Sequence, residues 1–294
     1  MTEITKLEEI AAQVRRDILR EVYFAQSGHP GGSLGCSAFF TALYFKVMKN
    51  DPHHFTMEGK DEDLFVLSNG HISPVYYSIL ARRGYFPLVE LSTFRKLNSR
   101  LQGHPTTHEG LPGIRTATGS LGQGLSVAVG MAVARKMDNN PHYVFALTGD
   151  GELQEGSIWE AIMFAPFHHL DNLIVTVDWN GQQIDGPTDK VLSLGDLEGK
   201  FTSFGWRVLQ ADGTDMADII EKMEQAKSFI GCGLPTVILM KTVMGMGVSF
   251  MENNHDWHGK APNKEQFELA MSELPETLGD YPYDENYHAE IIKH

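Results

Sequence analysis

Gly149-Asp150-Gly151 follows the apolar stretch Tyr143 to Leu147 and opens a helix-like stretch; about thirty residues on, Asn180 follows a second apolar stretch and is itself followed by Gly181. A carboxylate and an amide are both oxygen donors. A hard divalent ion such as Mg²⁺ takes donors of this type and keeps water or phosphate oxygens for its other positions. Glycine beside each donor lets backbone N–H groups approach an anion with no Cβ in the way, and a helix starting at Gly151 adds its partial positive charge. The pattern describes a magnesium diphosphate site. It is not a P-loop, since G-x-x-x-x-G-K-[ST] is absent, and no G-x-G-x-x-G follows a strand with an acid about twenty positions on. Gly-Asp-Gly alone would read as a tight turn; Asn180 followed by "QQIDG" argues for the site.

Thirteen histidines form a second candidate set. His29, His71, His104 and His258 each sit beside glycine, in loops where a side chain can meet a ligand. His108, His168, His169 and His255 read as ordinary loop or surface residues. Asp178 and Asp185 flank the asparagine site with turn or supporting roles.

These side chains need a frame that brings positions 150 and 180 together. Apolar stretches at 64–68, 143–148, 173–178, near 206–210 and at 235–241 read as strands. Helical spacing marks 5–25, 36–48, 72–84 (closed by Gly84), 120–137, about 154–169 and 215–230. Strands alternating with helices predict an α/β fold, a doubly wound, mostly parallel sheet with helices on both faces. In such a sheet ligands collect at the carboxyl ends of the strands, where Asp150 and Asn180 both fall. "GHPGGSLG" (28–35) is expected to break the first helix, 98–120 to be an extended functional loop, and Pro166 to kink or shorten its helix. Residues 1–275 are expected to form the binding domain and 276–294 a C-terminal tail.

With 294 residues, 42% of them hydrophobic, a sizeable core is within reach. The net charge of −14 argues against nucleic acid as a partner. No run of apolar residues is long enough to cross a membrane, no signal peptide is evident, and two cysteines without metal spacing suggest reduced thiols and a cytoplasmic setting.

The segment "GDGELQEGSIWEA…DNLIVTVDWNGQQIDG" resembles the thiamine diphosphate motif. "SGHPGGSLG" (27–35), "DLFVLSNGH" (63–71), "GHP…LPGIRTATGSLGQGLSVAVGMAVA" (103–134) and "HDWHGKAP" (255–262) resemble, in order, the N-terminal domain of the transketolases. The resemblance spans about residues 10 to 262. It implies a thiamin diphosphate-binding fold of the pyrophosphate-binding type, with thiamine diphosphate and Mg²⁺ (or Ca²⁺ or Mn²⁺ in its place) as cofactors. Asp150, Asn180 and the backbone carbonyl of Gln182 would then hold the metal. Gly149, Gly151, His71 and the turn Gly119-Ser120-Leu121 would hold the cofactor, and Glu155 would help couple two active sites. His29, His104 and His258 would be catalytic, with His258 also touching the cofactor. Ketol transfer requires a proton to leave the C3 hydroxyl as the C2–C3 bond breaks, and donors for the developing oxyanion; imidazoles suit both tasks.

The resemblance covers one domain of two. The second domain of a full transketolase, which supplies the glutamate that activates the cofactor, has no counterpart in this sequence. The expectation is an N-terminal subunit of a split transketolase of pentose phosphate type. It would pair with a separate C-terminal subunit in an α2β2 assembly, be inactive alone and act on sugar phosphates such as xylulose 5-phosphate. Two alternatives remain: a cofactor subunit of 2-oxo acid dehydrogenase or deoxyxylulose-phosphate synthase type, or a non-catalytic subunit that keeps the fold.

Overall fold

The computed structural model describes residues 1–288. Five parallel strands form the central sheet: β1 (Leu64–Leu67), β2 (Val144–Gly149), β3 (Leu173–Trp179), β6 (Arg207–Asp212) and β7 (Thr236–Lys241), in the order β1-β2-β3-β7-β6. β4 (Gln182–Gln183) and β5 (Gly186–Pro187) make a small antiparallel hairpin just beyond β3. The chain steps across the sheet from β1 to β3, jumps to the edge at β6 and returns to β7. β2 and β3 are therefore neighbours, with Gly149 in register with Asp178.

Side chains alternate across each strand, so the sheet feeds two cores. Phe65, Leu67, Phe145 and Leu147 point to one face. There they meet α1 (Glu3–Ala25), α3 (Ser37–Ala42), α4 (Ser73–Arg83) and α9 (Met216–Lys227). Leu64, Val66, Val144 and Ala146 point to the other face, against α5 (Gln123–Met137), α6 (Gly156–Phe167) and α8 (Leu197–Ser203). The expected helices on both faces are present. Both faces of β1, β2, β3 and β7 are buried, which is why their sequences read as continuous apolar runs, whereas the edge strand β6 is only partly covered.

Three local expectations need correction. "GHPGGSLG" does not simply break the helix: after His29 the chain re-enters a short helix, α2 (Pro30–Gly35), with Pro30 at the first helical position, where its missing N–H is not needed. The single helix expected over 36–48 is α3 followed by a π-helical turn, Leu43–Val47. A short α7 (Thr188–Val191), α8 and α10 (Lys264–Glu273), the last closed by an Asn263/Gln266 capping box, lie where no element is expected. Pro166 falls in the last turn of α6, which ends one residue later.

The first part of the expected tail packs against α1. Arg16 Nε donates to Asp280 at 2.7 Å, Thr277 Oγ1 donates to the Glu9 carbonyl, and Tyr281 is buried with the Arg20 guanidinium over its ring. Beneath this strap, Arg82 on α4 pairs with the fully buried Asp17 on α1 through two hydrogen bonds of 2.7 and 2.8 Å. Residues 289–294 lie outside the described part. Among the described residues no helix is long and apolar enough to cross a membrane.

Removing the cation of the Arg82–Asp17 pair strands a carboxylate in the core. Arg82→Ala is expected to cost about 3–5 kcal/mol of stability in urea unfolding, and pairing it with Asp17→Asn should recover part of that loss.

Candidate active site

At the carboxyl edge of the sheet the two oxygen donors come together. Asp150 follows β2, and its carboxylate accepts from Gly151 N at 2.8 Å and from Gly181 N at 2.6 Å, the second reaching the turn after β3. Asp150 N donates to the Asp178 carbonyl at 3.1 Å. Asn180 Oδ1 accepts from Gln182 N at 2.9 Å and its Nδ2 donates to Asp178 Oδ2 at 2.9 Å. Asp178 is also held by the Thr242 hydroxyl. Burial, then the nearby Asp178 carboxylate, pushes the Asp150 carboxyl up to about 8, against the opposing effect of the backbone donors. Burial likewise raises Asp178.

His71, Leu121, Gly149, Asp150, Gly151, Glu155, Asn180, Gln182 and His258 all line one cavity of about 190 Å³. A larger hollow of about 940 Å³ between residues 49–62 and Arg83 contains none of them. Gly119 and Ser120 are not in the cavity wall: Ser120 is exposed, and Gly119 lies against His104. Gly119 has φ +128°, and a Cβ there would stand 2.7 Å from His104 Cδ2, so only glycine lets the turn and the imidazole meet. Glu155 is exposed, at the residue preceding α6.

The four glycine-flanked histidines converge at the same edge. The His29 ring centroid lies 5.1 Å from His71, 5.7 Å from His258 and 6.2 Å from His104, and His71 lies 5.0 Å from His258. Burial, with the other cationic groups around it, holds the His29 imidazole down to about 3. Burial also lowers His71 and His258; His104, the exposed member of the set, is lowered by partial loss of water contact and then by Arg95. All four are neutral near pH 7, each able to accept a proton. His168 lies tilted against Phe164, with ring centroids 4.0 Å apart, on the outer side of α6, and His108 and His169 are exposed.

Glu152 is a site residue that sequence reasoning missed. It is buried and accepts from Ser68 Oγ at 2.5 Å, Gly122 N at 2.8 Å and Gly149 N at 3.1 Å, which ties the ends of β1 and β2 to the start of α5. Its two-residue spacing from Asp150 was the available signal, but an acid in the first turn of a helix ordinarily reads as a partner of the helix dipole.

The residues fit a cation and an anionic ligand. Among the described residues no Lys or Arg forms an ion pair with Asp150 or Asp178, so two buried carboxyl groups lack a countercharge. Nδ1 of His29, Nδ1 of His258, Oδ1 of Asn69 and Oε1 of Gln182 are buried without a hydrogen-bond partner. Such groups are costly unless a ligand or water completes them.

Residues 7–285 match the family described as transketolase, thiamine diphosphate binding domain. The chain is 41% identical over 268 residues to the 6-deoxy-6-sulfo-D-fructose transketolase subunit SqwG of Clostridium sp., covering 91% of this chain and 96% of that one. It is 39% identical to an apulose-4-phosphate transketolase subunit of Actinobacillus succinogenes, covering 92% and 96%. The structure matches the transketolase of Campylobacter jejuni with a TM-score of 0.85 and 33% identity, over 99% of this chain but 45% of that one. These relatives are transketolases, not proteins of the 2-oxo acid dehydrogenase or deoxyxylulose-phosphate synthase type. The chain belongs to the transketolase family, as a subunit built on its thiamine diphosphate binding domain.

Proposed function

We propose that this subunit holds the diphosphate end of thiamine diphosphate through a divalent ion, Mg²⁺ by preference, and provides the histidines for transfer of a two-carbon ketol unit from a ketose phosphate to an aldose phosphate. The observation that carries the reading is the meeting of Asp150 with the 180–182 turn beside four neutral histidines. Asp150, Asn180 and the Gln182 carbonyl hold the ion. Gly151, His71 and the Gly119-Ser120-Leu121 turn hold the diphosphate and neighbouring ring, and Glu152 keeps the start of α5 in place for them. When bound, the cofactor supplies the nucleophilic carbon and electron sink that allow a ketose C2–C3 bond to break.

The chain's own contribution is proton management and orientation. His29, His104 and His258 take the proton of the donor's C3 hydroxyl as the bond breaks and return one to the acceptor's carbonyl oxygen. Nδ1 of His29 and Nδ1 of His258 are buried without a protein partner, which leaves them for a ligand or water to complete. An imidazole kept neutral accepts that proton, and the imidazolium formed stabilises the developing oxyanion. Glu155 faces outward, towards a second site across an interface. The C-terminal half of the site comes from a separate chain, in an α2β2 assembly; two relatives carry "subunit" in their names, and this chain spans 45% of a single-chain transketolase. The buried thiol of Cys36 and the free thiol of Cys232 suit a cytoplasmic enzyme. The donor is a sugar with an anionic tail. Xylulose 5-phosphate is the first candidate, and relatives named for apulose 4-phosphate and 6-deoxy-6-sulfofructose put both on the test panel.

Three outcomes test this. Calorimetry on the chain should show thiamine diphosphate binding that requires Mg²⁺, weakened by at least about 100-fold in Asp150→Asn and by about 10-fold in Glu152→Gln; equal binding with and without metal would refute the ion bridge. Assembled with its C-terminal partner, the enzyme should transfer ketol units within the panel, whereas the pure chain should turn over none; turnover by the pure chain would remove the need for a partner. His29→Ala and His104→Ala should each lower kcat/KM by about 10²–10⁴-fold with cofactor affinity unchanged.

A further inference from the structure

Arg95 stands where the two outermost histidine loops meet. It follows a 3₁₀ turn, Leu88–Thr93, and its backbone is left-handed at φ +58°. A non-glycine residue keeps that conformation only where its surroundings hold it. Its backbone N–H is held by the Leu101 carbonyl at 2.9 Å. The guanidinium then reaches in two directions. One terminal nitrogen donates to Ser27 Oγ at 3.0 Å, two residues before His29, and the other points at the Gly103 carbonyl at 3.4 Å, one residue before His104. A Cβ on Gly103 would come within 2.8 Å of the Arg95 Cζ, so the glycine at that position makes room for the approach. Among the described residues no carboxylate lies within ion-pair distance of Arg95, so its charge stays uncompensated beside the histidines.

We infer that Arg95 is a positioning residue for ketol transfer: its forked guanidinium braces the His29 loop against the His104 loop and sets the spacing of the two imidazoles across the substrate mouth. The inference rests on the proposed function. A planar fork suits the task, because two acceptors on different segments are met at a fixed separation, which a lysine ammonium does not enforce. The brace also has an electrostatic side. His29 faces His71, His258, His104 and Arg95, and His104 faces His29 and Arg95, while the buried Tyr77 hydroxyl, near the arginine, donates to the Gln102 carbonyl. Every group named here that faces the two imidazoles is neutral or cationic, so Arg95 adds to burial in keeping both unprotonated.

The test uses Arg95→Met and Arg95→Lys in the chain, alone and assembled with its C-terminal partner. Thiamine diphosphate affinity of the chain should be unchanged in both, because Ser27 and Gly103 are not among the residues lining the cofactor cavity. In the assembled enzyme, kcat/KM for the ketose donor should fall about 100-fold in Arg95→Met, mainly through kcat, as expected for reacting groups displaced by about 1 Å. Arg95→Lys keeps the charge without the fork and should recover only part of that loss. By NMR on the chain, the His29 and His104 imidazoles should titrate at higher pH in Arg95→Met but not in Arg95→Lys. Wild-type kcat together with unmoved histidine titrations in Arg95→Met would overturn the inference. If Arg95→Met does not fold, Ser27→Ala removes one anchor of the brace: a smaller loss of kcat supports the inference, and unchanged kcat in both Ser27→Ala and Arg95→Lys overturns it. Should the wild-type assembly transfer no ketol unit, the proposed function fails, while the histidine titrations still decide whether Arg95 acts on the two imidazoles.

Discussion

The Asp150 carboxylate is shared between two loops, and the site depends on that sharing. One oxygen takes the N–H of the residue that follows it, and the other takes the N–H of Gly181 beyond the neighbouring strand. The parallel pairing of β2 with β3 brings those loops to one edge, since Gly149 stands opposite Asp178. Both acids then lie in a place poor in water. Burial disfavours the charged carboxylate and so does the second acid, which leaves the folded chain with a strong local preference for a cation. The same contact that closes the fold at this edge creates the demand for an ion.

The histidines are governed by the complementary rule. Removing an imidazole from water disfavours its charged form, and at His29 and His71 the neighbouring rings oppose protonation as well. One edge of the sheet thus gathers acids reluctant to lose protons and bases reluctant to gain them. Such paired perturbations mark sites built for charge that arrives with a ligand. Their positions come from backbone economy. Pro30 starts α2 directly after His29, and Gly119 leaves room for His104. Neither residue has a side chain that titrates, yet each fixes a ring that does.

The strands, the adjacency of positions 150 and 180 and the histidine set were legible in the sequence because each rests on a local pattern. Apolar runs mark doubly buried strands, and glycine marks the loops where backbone and side chains crowd. What was not legible depends on contacts distant in sequence. Glu152 becomes a structural acid only because Ser68 and Gly122, from separate segments, donate to it. The buried polar residues of α1, Gln13, Arg16 and Asp17, look like the solvated face of an amphipathic helix until residues 277–281 and Arg82 cover them. α2 is hidden because proline and paired glycines signal a break, whereas at a helix start the proline costs nothing. Arg95 carries no motif at all; its meaning lies in Ser27 and Gly103, far from it in the chain or on another loop.

Charge supports the proposal that this chain makes half of a site. The cavity at the sheet edge is lined by acids, amides, glycines and imidazoles, with no lysine or arginine among its lining residues. In the proposed function a diphosphate has its negative charge balanced there through an ion held by Asp150 and the 180–182 turn, backed by backbone N–H groups, since a chain of net charge −14 offers no general field to help. The tail of a sugar phosphate carries a second negative charge; of the cations beside the histidine loops, Arg95 is turned towards Ser27 and Gly103 and Lys260 lies over the Trp257 ring. Neutral histidines can move protons at the reacting carbon atoms but cannot hold that tail at neutral pH. The cationic grip on the substrate therefore has to come from outside this cavity, which is the electrostatic case for the proposed partner. Under the proposed function, selectivity among ketoses that differ at the tail is assigned to that partner, and the shared chemistry at the C2–C3 bond to this chain.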